Sequence, residues 1–390
     1  MNIRRLKITS LILFGLLLPQ ILYSQIVVNS GMQVRVKDGS QMEVTGNTTI
    51  NSGADFTLGG DMTVNGNFIN NGSASAFVIT SDASNTGSLI ISGTSTGSST
   101  VERYLSDNAW HFISPSTTGI VAGDFFWDNQ PIVWAAYLNE VDDSWTYLSD
   151  VGTSMPVGKG YKMWLDANSK TNKTALMEGS LRTTDLSVNL SKSGGGWNLI
   201  GNPFPSAIDW DEGSWGTNTT GSVYVWDTAY NDGDFRVWNG VEGGLSDGII
   251  PVSQGFMVEA SSAGSFNIPA DAQTHNSIAF YKADQDKSST PYLKLQMNFG
   301  SYGSTVYIGF PDNGSVNFDQ QGDALKLYSN STRPQLYAIE GENKLCINAN
   351  EPLDEDGHTV AIHLDQVVNG SYQLRLSQLE NIAGIKVTLE

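Results

Sequence analysis

Residues 31–72 read GMQVRVKDGSQMEVTGNTTINSGADFTLGGDMTVNGNFINNG and decide the fold of the N-terminal region. Apolar residues come in pairs two positions apart, so both side chains of a pair lie on one face of a very short strand. Glycines recur every six to eight residues, and with the asparagines they are expected to supply turns that tolerate positive φ. Strands this short need stacking partners, so the repetition predicts a short β-solenoid over residues 25–100, with a flat meander as the alternative. The apolar pairs are Val34 and Val36, Met42 and Val44, Phe56 and Leu58, and Met62 and Val64; the asparagines are Asn47, Asn51, Asn65, Asn67, Asn70 and Asn71.

The middle of the chain is rich in tryptophan and contains an internal duplication. All ten tryptophans lie between Trp110 and Trp238. WHFISP at 110–115 matches WNLIGNP at 197–203, and PVGKGY at 156–161 matches PVSQGF at 251–256. Between them, FWD at 126–128 matches DWD at 209–211. Asn, Asp and Gly clusters between aromatic runs predict a β-hairpin in each copy. We therefore expect two related Trp-rich β modules, at residues 101–190 and 191–284.

The C-terminal region, residues 285–390, has regularly spaced strand patterns. Seven or eight short strands in about 100 residues predict an antiparallel β-sandwich. Long stretches of helical periodicity are missing, so the whole chain is predicted to be all-β. The sequence ends at Glu390 inside an alternation, from which we expect the natural chain to continue. The strand patterns lie at 292–297, 305–310, 324–328, 335–339, 344–347, 360–364, 372–376 and 385–389.

Residues 1–24 have the pattern of a cleaved secretory signal peptide. Arg4, Arg5 and Lys7 precede an apolar run, and small or uncharged residues follow at Ser24 and Gln25. The alternative is a membrane anchor, but the run falls short of the ~20 apolar residues that a spanning helix needs, because it is interrupted by Thr9, Ser10, Pro19 and Gln20. We expect Sec-type export, a secreted or outer-surface location, and no transmembrane segment after cleavage.

The charge of the chain restricts its partners. Forty acidic residues face 21 basic ones, and removing the signal peptide leaves a formal charge of about −22. Such a surface disfavours nucleic acid and anionic membranes as partners. It is compatible with neutral glycans, divalent cations or an extracellular protein.

Several segments resemble the secreted and surface proteins that Bacteroidota export through the type IX system. These segments are the glycine repeat, TGSLI at 86–90, TVERY at 100–104 and WHFI at 110–113, followed by GWNLIGNPFPSAIDW at 196–210 and QGF at 254–256. They cover about two thirds of the chain. The resemblance implies export by the type IX machinery and a scaffold for display, without an activity. The C-terminal sorting domain usual in that family is not visible here.

No catalytic constellation is evident. The four histidines are spread over different regions, and no nucleophile elbow, phosphate-binding glycine loop or Cys–His pair appears. A carboxylate pair within residues 209–212 is conceivable, because glycosidases need only two acids. A turn with solvated carboxylates is the simpler interpretation.

Two candidate sites remain. Trp215 lies in a Gly/Asn/Thr-rich loop, and together with Asp211 it is the best candidate for an exposed ligand contact, whereas most tryptophans are expected in the core. Asp232 and Asp234 offer oxygen ligands for Ca²⁺ in a turn, although ordinary turn chemistry is the simpler explanation. No other cofactor is expected.

The sequence favours a non-enzymatic, secreted or cell-surface β protein for adhesion, assembly or display. The alternative is a carbohydrate-binding accessory module of a glycan-utilisation system, which the density of tryptophan favours. An enzyme of unfamiliar type ranks third.

Overall fold

The computed structural model describes residues 24–106, 108–125, 134–165, 174–276, 290–320, 322–328, 332–354, 357–365, 368–382 and 386–388. These residues form an almost all-β protein, which confirms the predicted fold class. Within them, no helix is long and apolar enough to cross a membrane. The predicted signal peptide, apart from Ser24, and the FWD element at 126–128 lie outside the described residues. The helices described are short 3₁₀ turns at Ala74–Ala76, Ala122–Asp124, Tyr230–Asp232, Ser246–Gly248 and Ala270–Ala272.

The N-terminal region is a β-solenoid, as predicted. Its strands form three parallel sheets, in which strands of successive coils pair with each other; Val36, for example, lies opposite Leu58. The first sheet contains β1 (Ile26–Val28), β4 (Thr48–Ile50), β7 (Phe68–Asn70) and β10 (Ser95–Thr96). The second contains β2 (Gln33–Val36), β5 (Asp55–Leu58), β8 (Phe77–Ile79) and β11 (Ser99–Tyr104), and the third contains β3 (Gln41–Val44), β6 (Asp61–Val64) and β9 (Ser88–Ile91).

Close stacking of the coils explains the repeated glycines. Val36, Leu58 and Ile79 occupy equivalent positions of successive coils and form a buried apolar column. A Cβ atom on Gly60 would collide with the backbone carbonyl oxygens of Ser40 and Lys37 in the preceding coil. The missing side chain therefore allows neighbouring coils to approach.

The prediction that the asparagines adopt positive φ is wrong. None of the six, at positions 47, 51, 65, 67, 70 and 71, has a positive φ. Asn51 Nδ2 instead donates to Asn29 Oδ1 at 2.8 Å, and Asn71 Nδ2 donates to Asn51 Oδ1 at 3.2 Å. Because each amide carries both a donor and an acceptor, a column of asparagines satisfies its polar groups from coil to coil.

The two Trp-rich modules contain the same four-stranded antiparallel sheet, with matching strand order and register. Ile113 lies opposite Tyr161 in the first, as Ile200 lies opposite Phe256 in the second. The first sheet has the order β12 (Ala109–Ile113), β15 (Tyr161–Leu165), β13 (Ala135–Asn139), β14 (Ser144–Tyr147). The second has the order β18 (Trp197–Gly201), β23 (Gly255–Ala260), β20 (Thr219–Asp227), β21 (Asp234–Trp238).

Short strands connect these units. β16 (Thr174–Gly179) pairs with β11 in antiparallel orientation and covers that edge of the solenoid. The expected boundary at residue 100 falls inside β11, which belongs to the solenoid. The remaining short strands are β17 (Leu186–Leu190), which pairs with β24 (Gly264–Ile268), and β19 (Ala207–Asp209), which pairs with β22 (Ile249–Ile250) and β25 (Gln273–Thr274).

The C-terminal strands form one curled seven-stranded sheet in place of the two sheets of the expected sandwich. All neighbours are antiparallel except β27 and β30, which are parallel. Because the sheet curls around its own apolar side chains, including Met297, Val306 and Leu345, a separate second sheet is not required to bury them. The strands are β26 (Tyr292–Phe299), β27 (Tyr302–Gly309), β28 (Ala324–Leu325), β29 (Gln335–Glu340), β30 (Asn343–Ala349), β31 (Ile362–Asp365) and β32 (Gln373–Glu380).

Candidate functional site

One face of the first module's sheet is rich in aromatic side chains. Side chains alternate between the two faces of a strand, and directly opposite residues of an antiparallel pair share a face. Trp110 lies opposite Trp164, and Phe112 lies opposite Lys162, so all four point to the same side. The residues of this aromatic face are Trp110, Phe112, Ala136, Leu138, Trp145, Tyr147, Lys162 and Trp164. The opposite face packs towards the solenoid.

The equivalent face of the second module is covered. There, Leu199, Tyr224 and Met257 are buried against Tyr307 and Cys346 of the C-terminal sheet. In the first module, Tyr147 is 47% exposed, and Trp134 at the rim is also 47% exposed, with its ring centroid 6.4 Å from that of Tyr147. The duplication thus leaves one copy of the face covered and the other partly open.

A cleft of about 250 Å³ opens on the aromatic face where both modules and the C-terminal sheet meet. Phe112 is one of its lining residues, with its ring centroid 5.6 Å from that of Trp226 and 5.8 Å from that of Trp145. Apolar walls with a few polar groups are typical of small-ligand sites. This first cleft is lined by Trp110, Phe112, Leu138, Asp143, Trp145, Lys162, Trp226, Phe235, Met257, Leu327 and Tyr328.

A second cleft, of about 410 Å³, lies on the other side of Trp110 and Trp226. The indole Nε1 of Trp226 and the hydroxyl of Thr228 each donate to the carbonyl oxygen of Trp110 at 2.8 Å. These hydrogen bonds fix the partition between the two clefts. The second cleft is lined by Asn108, Ala109, Trp110, Trp164, Trp226, Thr228, Asp232, Gly233 and Arg333.

Lys162 places a positive charge in the first cleft. Its Nζ lies 3.9 Å from the ring centroid of Trp145 and 5.1 Å from that of Trp110, which are cation–π distances. Partial burial lowers the pKa of Lys162 to about 8, because it disfavours the charged form. Lys162 is therefore close to its titration point at neutral to mildly alkaline pH.

Comparison with known proteins identifies a family but no function. A family model described as a domain of unknown function, DUF8693, matches residues 17–386. The chain belongs to the DUF8693 family. No curated protein matches it, and no solved structure matches it either. Functional inference for this DUF8693 protein therefore depends on the geometry of its clefts.

The structure places the two predicted ligand contacts of the DUF8693 chain outside both clefts. Trp215, expected to be exposed, is partly buried, with its ring centroid 4.6 Å from that of Trp210. Its Nε1 donates to the carbonyl oxygen of Glu212 at 2.7 Å. The carboxylate of Asp211 accepts a hydrogen bond from Nε1 of Trp238 at 2.8 Å. The loop folds the indole of Trp215 onto the second module, where part of this large apolar ring is removed from solvent.

The two acidic residues predicted as calcium ligands face different cations. Asp232 is exposed and lies 3.9 Å from Arg333, whereas Asp234 is buried with its carboxylate 4.0 Å from Lys326. The pair does not converge, because Asp232 lies in a 3₁₀ turn with φ 63° and Asp234 begins strand β21. Within the described residues, no group of three or more His, Cys, Asp or Glu could hold a metal ion. Asp232 does line the second cleft.

The remaining ionisable candidates have structural contacts of their own. In the 209–212 segment, Asp209 Oδ1 accepts a hydrogen bond from the backbone N–H of Asp211 at 2.9 Å, which is a turn contact. His111 is buried beside the carbonyl oxygen of Ser106 at 2.8 Å, and burial lowers its pKa to about 4. His275 lies between the hydroxyls of Thr63 and Ser88 at 2.8 and 2.9 Å, where it joins the second module to the solenoid.

Sequence reasoning missed the residues that line the first cleft. Trp110, Trp145 and Lys162 were not singled out, because the tryptophans were assigned mainly to the core. Position-by-position comparison of the duplication would have found Lys162, since it lies opposite Phe112 where Met257 lies opposite Leu199 in the other copy. A lysine at a position that is apolar in the matching module is a signal of function.

Proposed function

We propose that this DUF8693 protein is an exported, non-enzymatic module that binds glycans in adhesion or glycan capture. The partly open aromatic face of the first module carries the proposal. The C–H faces of sugar rings are apolar and stack on indole, while their hydroxyls need polar partners at the edges of the stack. Trp110 and Trp145 supply ring faces in the first cleft, and Asp143 and Lys162 supply polar groups beside them.

The non-enzymatic part of the proposal rests on the carboxylates near the clefts. Glycosidases use two acidic side chains across the scissile bond. Asp143 is the one carboxylate among the described residues that line the first cleft. Asp232 in the second cleft has Arg333 as its ion-pair partner. Binding without turnover fits this arrangement better than hydrolysis.

The proposed location is the outer cell surface or the medium, after Sec-type export. Support comes from the signal-peptide pattern of residues 1–24 and from the acidic composition. The resemblance of residues 196–210 to proteins of the type IX system supports that route across the outer membrane, in a bacterium of the Bacteroidota. An extracellular module of this kind would meet glycans and other surface proteins as its partners.

Binding to a glycan array, followed by calorimetric titration of the best oligosaccharide, tests the proposed function. Trp110→Ala and Trp145→Ala are each expected to weaken binding about ten-fold or more, because stacking on an aromatic ring contributes on the order of 1–3 kcal/mol. Trp197→Ala is the matched control. Trp197 occupies the position equivalent to Trp110, but its ring packs 4.9 Å from Tyr224 in the covered copy.

Three outcomes would contradict the proposal. The first is an array that stays silent at high protein concentration. The second is equal loss of affinity in Trp145→Ala and Trp197→Ala, because this would indicate a general effect on folding. The third is turnover of a saccharide that a single point mutation abolishes.

A further inference from the structure

The two copies of the module differ in charge at one structurally equivalent position. Lys162 and Met257 lie at matching positions of the duplicated segments GKGYK (158–162) and SQGFM (253–257). Their cross-strand partners are also equivalent, since Lys162 lies opposite Phe112 and Met257 lies opposite Leu199. Met257 is 3% exposed between the second module and the C-terminal sheet. Lys162 is only partly buried, and both residues line the first cleft. The open copy of the face therefore has an ammonium group where the covered copy has an apolar side chain.

Among the residues that the structure describes, Lys162 contacts three aromatic rings. Its Nζ lies 3.9, 5.1 and 5.8 Å from the ring centroids of Trp145, Trp110 and Tyr147. Within the described part of the chain, no carboxylate forms a salt bridge with it. Arg236 and Lys326, by comparison, lie 2.7 Å from Asp227 and 4.0 Å from Asp234.

An ammonium group whose contacts among the described residues are aromatic rings retains the capacity to bind an anion. The ammonium group of a lysine has three N–H donors. The face of an aromatic ring attracts the positive charge, but it accepts few hydrogen bonds from these donors. Partial burial has already removed some of the water from Lys162, so an incoming anion meets a smaller desolvation cost at this group. The remaining ionisable side chains of the cleft are Asp143, which is exposed at the hairpin, and Tyr328, whose pKa is raised to about 12 by burial.

We propose that the first cleft selects sparsely charged acidic glycans, with one anionic group of a sugar paired to Lys162. This proposal rests on the proposed glycan-binding function and specifies its ligand class. The sugar rings stack on Trp110 and Trp145, the anionic group accepts hydrogen bonds from Nζ, and Asp143 accepts from sugar hydroxyls. One ammonium group suits one anionic group. A formal charge of −19 for the whole chain disfavours densely charged polyanions.

The test compares oligosaccharides that share one backbone. Lactose, sialyllactose and lactose 3′-sulfate, together with xylotetraose and its glucuronic acid-substituted form, are titrated by calorimetry. The wild type is expected to bind the singly charged members about 10- to 100-fold more tightly than the neutral ones, as expected for a charge-assisted hydrogen bond. The carboxylated and sulfated members distinguish the two sources of the anionic group.

Lys162→Met is the decisive variant, because methionine is the residue that the matching position already accommodates. It is expected to abolish the preference, so that the charged members bind no more tightly than their neutral counterparts. Lys159→Met is the control, since Lys159 lies 3.6 Å over Tyr137, outside the lining of either cleft, and should leave the preference intact. Raising the pH from 7 to 9.5 should reduce the preference in the wild type, as Lys162 loses its charge.

The outcomes distinguish the acidic-glycan proposal from the glycan-binding proposal on which it rests. If the wild type binds neutral and charged members equally, or if Lys162→Met retains the preference, the acidic-glycan proposal is overturned while glycan binding stands. If no saccharide binds, both proposals are rejected. A marked preference for densely charged polymers over singly charged oligosaccharides would also overturn the acidic-glycan proposal.

Discussion

Replacing Glu242 with Gln tests whether a buried carboxyl group between the second module and the C-terminal sheet makes the stability of the protein depend on pH. Glu242 is 1% exposed, and within the described residues neither of its carboxylate oxygens has a hydrogen-bond partner. A Cβ atom on Gly309 of β27 would occupy the space of this carboxylate, so the two units are in close contact here. Burial and the nearby Asp323 raise the pKa of Glu242 to about 8.

The raised pKa has a defined consequence for stability. The ordinary pKa of the carboxyl group is 4.5, so between pH 4.5 and about 8 the folded protein retains a proton that the unfolded chain has released. The free energy of unfolding therefore falls as the pH rises through this window. At about 1.36 kcal/mol per pKa unit, the loss approaches roughly 5 kcal/mol above pH 8. Glutamine keeps the shape of the side chain and removes this dependence.

Urea denaturation followed by tryptophan fluorescence at pH 5 and pH 8.5 measures the effect. Glu242→Gln is expected to be more stable than the wild type by several kcal/mol at pH 8.5 and to differ little at pH 5. Glu351→Gln, at an exposed position, is the control and should not change the difference between the two pH values. If wild type and Glu242→Gln lose stability equally between pH 5 and pH 8.5, the reasoning about the buried charge is refuted.

Three further predictions concern the scaffold. Gly60→Ala should lower the free energy of unfolding by about 1–3 kcal/mol, because the added methyl group overpacks the space between coils. Gly195 has space for a methyl group, so Gly195→Ala should stay within about 0.5 kcal/mol of wild type in the same denaturation assay. Asp227→Ala should lower the free energy of unfolding by about 3–5 kcal/mol, because it removes the carboxylate that pairs with the buried charge of Arg236. A loss of less than about 1 kcal/mol would contradict this expectation. Adding or chelating Ca²⁺ should leave the melting temperature unchanged, because the two acidic residues predicted as ligands face cations.

The solenoid could be predicted from sequence because its determinants are local. Pairs such as Phe56 and Leu58 fix which face of each short strand is buried, and the regular spacing of glycine fixes the coil. The asparagine columns were missed, since contacts such as Asn51 to Asn29 join residues in successive coils. Turn propensity in the sequence does not reveal pairing over that distance.

The duplication was also recognisable, but its functional consequence was not. Repeated motifs predict two similar sheets, and the matching strand order and register agree with this. Which copy remains open depends on where the C-terminal sheet packs, and this tertiary contact leaves no local signal. Trp215 was selected because its loop looked exposed, whereas Trp145 was assigned to the core because it lies in a strand. In the structure, Trp215 packs against Trp210, whereas Trp145 is partly buried and also lines the first cleft.

Export, the type IX route and the surface location stay predictions. They depend on residues 1–24 and on the resemblance of a few segments. Intact masses of the native protein from periplasm, cell surface and medium would test them. A surface or medium species without residues 1–24 is expected, and a species that retains them would contradict signal cleavage.

A crystal structure of the protein with its best-binding oligosaccharide tests the central claim most directly. The account predicts a sugar ring stacked on Trp145 or Trp110 in the first cleft, with an anionic group of the ligand within hydrogen-bond distance of Lys162 Nζ. Sugar bound on the covered side of the second module, at Trp215, or anywhere outside the two clefts would contradict it.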